Sequence, residues 1–130
     1  MKVHNSAKYA ILTVGYIAKN QHKRLVLGPS IARHYGIAPE YLTKLMQDLV
    51  KGNVLRSKKG PGGGFSLARP LNKITLLDII EAIEGPMTES IALEEYGQRD
   101  KFLSKATKAY DKAVAQARRA FKKVKMSELV

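Results

Sequence analysis

Val54-Leu55-Arg56-Ser57-Lys58-Lys59-Gly60-Pro61-Gly62-Gly63-Gly64-Phe65-Ser66-Leu67-Ala68-Arg69 is the stretch on which the fold turns. Two short runs, residues 54–59 and 65–69, flank Gly60-Pro61-Gly62-Gly63-Gly64. Short runs bounded by such a cluster predict an antiparallel hairpin whose tip is nearly free of side chains. A bare backbone can approach another surface closely, and Arg56, Lys58 and Lys59 stand where they can reach the phosphates of a polyanion. A glycine run can also cradle a nucleotide, but that chemistry needs a helix N-terminus directly after it. This run enters a strand instead, so the nucleotide reading fails.

Working back from the hairpin, Leu42, Leu45, Met46, Leu49 and Val50 recur at helical spacing behind Pro39, and Gly52-Asn53 ends the pattern. A shorter helix over residues 29–35 fits Pro29 in its first position, Gly36 just past its end and Ile31 and Ala32 inward. The tight Gly36-Ile37-Ala38 turn between them gives helix-turn-helix geometry, in which the second helix enters a major groove and the first braces it. With the apolar stripe inward, Glu40, Thr43, Lys44, Gln47 and Lys51 face out, where they can meet base edges and phosphates. Two such helices usually just pack together, so the glycine-tipped hairpin that follows is what gives the pair its meaning: together they read as a winged helix-turn-helix. A first helix over residues 7–19, with Ala7, Ala10, Ile11, Val14, Ile17 and Ala18 inward and Asn5 or Ser6 as N-cap, supports them.

Beyond the hairpin, Thr75 and Asp78 form a capping-box pair ahead of Leu76, Ile79, Ile80 and Ile83, and Gly85-Pro86 stops that helix. Residues 87–99 show no period and read as a loop or a short irregular helix. The last helix is predicted over residues 99–126. Leu103, Ala106, Tyr110, Ala113, Ala117, Ala120 and Val124 form a heptad seam, widened by Phe102, Val114 and Phe121. Lys105, Lys108, Lys112, Arg118, Arg119 and Lys122 fall outside it. A helix of about 28 residues spans roughly 42 Å, beyond the reach of so small a core. The economical partner is a second copy, so a homodimer addressing half-sites of a palindromic operator is expected.

The 130 residues suffice for one compact core, and no apolar stretch is long enough to span a membrane. The N-terminus lacks an apolar leader pattern, so a cytoplasmic location is expected. A net charge of +12 divides unevenly: +9 over residues 1–60, −3 over 61–99 and +6 over 100–130. A field of one sign attracts polyanions. The chain has no cysteine, which excludes disulfides, thiolate metal sites and thiol nucleophiles. His4, His22 and His34 lack metal-ligand spacing, and Glu81 and Glu84 are ordinary solvent-facing helix positions, so no enzyme, cofactor or metal site is read here. A protein-interaction adaptor, suggested by the seam and the acidic loop, and a non-specific nucleic-acid binder remain as alternatives.

Over residues 8–86, and most specifically through Tyr41-Leu42-Thr43-Lys44-Leu45-Met46, the hairpin with Pro70, and Ile74 to Gly85, the chain resembles the Rrf-two family of transcription regulators. The resemblance implies a winged helix dimerised through a long C-terminal helix. It also implies DNA contacts at the positions of Tyr41, Thr43, Lys44 and Lys59. The full expected DNA-binding set is Lys8, Tyr41, Thr43, Lys44, Gln47, Arg56, Lys58, Lys59, Gly62 and Gly63. Residues 1–86 form the expected DNA-binding domain, 87–99 a loop open to an effector, and 100–127 the dimerisation helix. Ala38 stands where relatives often carry Ser or Thr, and Thr43-Lys44 where many carry Glu-Gln. Cluster-binding members place three cysteines near the positions of Ala92, Gln98 and Ser104, which leaves this chain cluster-free. Its signal is then a small molecule, a protein partner or none.

Overall fold

The computed structural model describes residues 5–22 and 24–130, with the side chain of Asn5 excepted. The expected N-cap at Asn5 or Ser6 falls inside the first helix, which runs as α1 (Asn5–Asn20). There follow α2 (Gly28–Tyr35), α3 (Pro39–Lys51), β1 (Leu55–Lys58), β2 (Gly64–Leu67), α4 (Leu76–Glu84) and α5 (Lys101–Lys123), with short 3-10 turns at Leu71–Lys73, Leu93–Tyr96 and Met126–Glu128. The expected mainly helical fold with a two-stranded hairpin is present.

The local signals work as their chemistry requires. Pro29 and Pro39 sit in the first turns of α2 and α3, where a missing N–H costs nothing. Gly36 closes α2 in the left-handed conformation at φ 68°, and its neighbour Ile37 is buried beneath the turn. Ala38 supplies no side-chain cap to α3. Within that helix the Thr43 hydroxyl donates instead to the carbonyl of Pro39 at 2.9 Å. At α4 the capping box is complete: the Asp78 N–H donates to the Thr75 hydroxyl, and the Thr75 N–H to the Asp78 carboxylate. Leu77 joins Ile79 and Ile80 as a buried residue of α4, so the buried face is broader than the predicted stripe.

One core lies between α1, α2, α3, α4 and the base of the hairpin. Val14, Ile17, Ile31, Leu49, Val54, Ile74 and Ile79 are fully buried in it. Fully burying side chains of this size contributes about 1.5–3 kcal/mol each.

Three features differ from the sequence expectation. The hairpin gains an edge: Val26 and Phe65 exchange backbone hydrogen bonds of 2.9 and 2.7 Å, so the segment before α2 lies alongside β2. The Gln21 side chain ties the same edge by accepting from the Leu67 N–H at 2.8 Å. The acidic loop contains a 3-10 turn and is strapped to α5. Asp111 accepts from the Ser90 hydroxyl and the Ile91 N–H, and the buried Thr107 hydroxyl accepts from the Leu93 N–H.

The third difference corrects the last helix. It ends at Lys123, after 23 residues or about 34 Å, and Val124, expected as the final seam position, lies outside it in an extended conformation. The Leu76 N–H donates to Val124 O and the Met126 N–H to Ile74 O, which pairs the tail with the entrance to α4. Met126, exposed to only 2%, then joins the core. Burying that thioether and forming two backbone bonds outweigh one more solvent-facing helical turn.

Candidate nucleic-acid interface

The α3 face expected to point outward does so: Glu40, Tyr41, Thr43, Lys44, Gln47 and Lys51 are all exposed, while Leu42, Leu45, Met46 and Leu49 are buried. The hairpin register pairs Arg56 with Ser66, Ser57 with Phe65 and Lys58 with Gly64. Side chains alternate faces along a strand, so Ser57 and Phe65 turn one way and Arg56 and Ser66 the other. The face bearing Ser57 and Phe65 meets α3 across a cleft of about 460 Å³. Thr43, Gln47, Val50 and Lys51 form one wall, and Ser57, Lys58, Lys59, Gly64 and Phe65 the other. An apolar floor with amide, hydroxyl and ammonium groups at its rim suits a nucleic-acid strand, whose sugars and base methyls are apolar and whose phosphates are charged.

The structure thus brings Thr43, Gln47, Lys58 and Lys59 together at one cleft. Arg56 is not in it; with Gly62 and Ser66 it lines the outer face of the hairpin. Lys8 is exposed near the start of α3: its ammonium lies 4.9 Å from the Tyr9 ring centroid, and the Tyr9 ring stands edge-to-face with Tyr41 at 5.7 Å. Gly63 lies at the hairpin tip, where its N–H donates to Gly60 O at 2.9 Å.

Sequence reasoning missed Arg24, which the Val26–Phe65 pairing carries to the edge of the wing. No periodicity marks residues 24–27, and the signal that could have found them was the apolar triple Leu25-Val26-Leu27 between polar segments. Arg69, by contrast, has structural partners. Its guanidinium donates to the carbonyls of Asn53 and Lys73 and lies 3.5 Å from the Asp78 carboxylate. Among the described residues the other ion pair joins Arg118 to Glu81, so no cation of α3 or the wing lies within ion-pair distance of a carboxylate.

Residues 3–130 match the family model Rrf2, described as "Iron-dependent Transcriptional regulator". The chain belongs to the Rrf2 family. A protein of Aquifex aeolicus described as an HTH-type transcriptional regulator is 44% identical over 77 residues, covering 59% of this chain and 53% of its own length. The HTH-type transcriptional regulator IscR of Cereibacter sphaeroides is 31% identical over 65% of this chain and 56% of its own. The matched segments thus span little more than half the length of these relatives. Among solved structures, the global cysteine regulator CymR of B. subtilis superposes with a TM-score of 0.80 at 21% identity, covering 99% of this chain and 95% of that one. IscR of T. potens gives 0.78 at 23% identity, over 99% and 85%. The fold of this Rrf2 chain is therefore the winged helix of these solved structures.

The iron in the family description does not fit the donors of this chain. It has no cysteine, and among the described residues no group of three or more His, Asp or Glu side chains could hold a metal ion. Of the three positions near which the resemblance places ligands, Ala92 carries a methyl group, and Gln98 and Ser104 offer only a neutral amide and a hydroxyl, weak donors for iron.

Proposed function

We propose that the protein acts as a homodimer that represses transcription by occupying an imperfect palindromic operator. The observation that carries the reading is the cleft between α3 and the wing, where Thr43, Gln47, Lys51, Lys58 and Lys59 converge with no carboxylate in the lining. In this reading Tyr41, Thr43, Lys44 and Gln47 address base edges in the major groove. Lys59, Gly62 and Gly63 enter the adjacent minor groove, while Lys8, Arg56 and Lys58 neutralise phosphates. The protein carries no catalytic role, and any effector, small molecule or protein, acts through residues 87–99.

Dimerisation is supported by the uncovered side of α5. Thr107 is buried, with Asp111, Val114 and Arg118 half-buried beside it, so this face of the helix packs on its own chain. About a third of a turn away run Phe102, Ala106, Ala109, Tyr110, Ala113, Ala117 and Ala120, with Phe102 exposed to 71% and Tyr110 to 52%. A row of alanines flanked by two exposed rings permits close approach of an identical helix about a two-fold axis. Leu103 and Ala106 are half-buried at the border of the two faces and serve both.

The test is selection of genomic fragments by the purified protein, followed by footprinting of the recovered site. Two protected half-sites centred about one helical turn apart support the reading. A single asymmetric footprint contradicts the dimer, and recovery of no enriched fragment contradicts operator recognition.

A further inference from the structure

On the side of the wing that no α3 residue reaches lies a second cleft of about 440 Å³, lined by Arg24, Leu25, Leu27, Lys58 and the glycines 60 and 62–64. Its walls are largely main chain for a steric reason. A Cβ on Gly64 would come within 2.7 Å of Val26 O, and one on Gly63 within 2.2 Å of Lys58 O. The exchanged Val26–Phe65 hydrogen bonds hold the strand after Arg24 against the wing, so backbone pairing keeps the main chain at Arg24 beside the wing. Arg24 is exposed, and among the described residues it has no carboxylate partner. The cations here, Arg24 and Lys58, face the cleft together.

Given the duplex reading above, on which this step rests, we infer that Arg24 and Lys58 form a seat for one phosphodiester on the strand bounding the far side of the minor groove. A wing inserted in a minor groove about 6 Å wide has a phosphate wall on each side. Lys51 and Lys59, lining the cleft with α3, stand nearest the wall shared with the major groove. Arg24 addresses the other wall together with Lys58, which borders both clefts, so the wing straddles the groove with cations on both flanks. A planar guanidinium with five donors can grip two phosphate oxygens at once, while Lys58 adds a point charge. The contact is blind to sequence, because every nucleotide offers the same phosphate.

The test compares the wild type with Arg24→Ala and Arg24→Lys on the selected operator and on random duplex. Affinity is measured across a salt series, together with a scan of single methylphosphonate substitutions that remove one phosphate charge at a time. Arg24→Ala is expected to weaken both duplexes on the order of tenfold, leave their ratio unchanged and lower the salt slope by about 0.9. Arg24→Lys restores most of the slope. In the scan, one substitution beyond the wing's minor groove weakens the wild type but has no further effect on Arg24→Ala. An unchanged slope with Arg24→Ala overturns the seat, and so does a loss confined to particular base pairs, which would make Arg24 a base reader. Because random duplex reports the slope as well, a wild type that prefers no sequence would defeat operator recognition while leaving the phosphate seat decidable.

Discussion

The chain has two cationic regions, and they differ in shape more than in charge. Around α3 and the wing, Lys51, Arg56, Lys58 and Lys59 line clefts walled in part by glycine backbone and by Val50 and Phe65, and Lys44 is exposed on the same helix. On α5, Lys101, Lys105, Lys108, Lys112, Arg119 and Lys123 form an exposed stripe along a convex helix, on the side away from Tyr110 and Ala113. A concave cationic surface focuses its field and fits a curved polyanion, whereas a convex stripe is solvated and screened within about 8–10 Å at ordinary salt. Charge alone therefore does not mark the functional face. In the proposed function the difference assigns nucleic-acid contact to the first region and solubility to the second, leaving α5 its apolar stripe for a second copy.

The strongest way to break this division is to attack the stripe rather than the charges. Ala113→Glu or Tyr110→Asp should give monomers in sedimentation, with operator affinity falling on the order of a hundredfold or more as the coupling between half-sites is lost. A dimer that persists with either variant would put the interface elsewhere. A smaller effect is expected on the exposed face of α3, where Lys44→Ala should cost about 1–3 kcal/mol and relax one operator position. Uniform weakening over all sequences would instead make Lys44 a phosphate contact. Lys59→Ala should lower affinity without changing sequence preference and reduce the salt slope by about 0.9, read from binding isotherms between low and moderate salt. Smallest of all, Lys105→Ala with Lys112→Ala should leave both affinity and slope unchanged within error. A drop in slope from that pair would erase the distinction between the two regions.

How far each region was legible follows from how local its determinants are. The capping box of Thr75 and Asp78, the prolines that open α2 and α3, and the buried stripe from Leu42 to Leu49 each depend on residues within one or two turns. The wing was equally legible, because glycines 60 and 62–64 leave a hairpin tip as the economical reading. Long-range pairing was not. Val26 meets Phe65 and Lys125 meets Thr75 across some forty to fifty residues, and nothing local in either segment announces its partner. The end of α5 shows the same limit: with no Gly or Pro before Val124, the helical pattern runs on, and only the core's need for Met126 stops it.

The phase of α5 was half legible for a different reason. Two neighbouring heptad rows carry small or apolar residues, and alanine suits a covered or an open face about equally well. Thr107 and Asp111, the residues that strap the acidic loop down, decide which row faces inward. Polar residues on an otherwise apolar helix edge gave the sequence no reason to place them inside. At Arg24 the missing information was again pairing, since a cation at the end of the polar stretch 20–24 looks like any solvated side chain until a strand carries it to the wing.

The central claim is that α3 and the wing read a particular duplex. It is tested most directly by titrating the purified protein onto the best selected operator in the presence of increasing random competitor at 0.15 M salt. The account predicts that the operator is held at least about a thousandfold more tightly than random duplex. A ratio near one would contradict it.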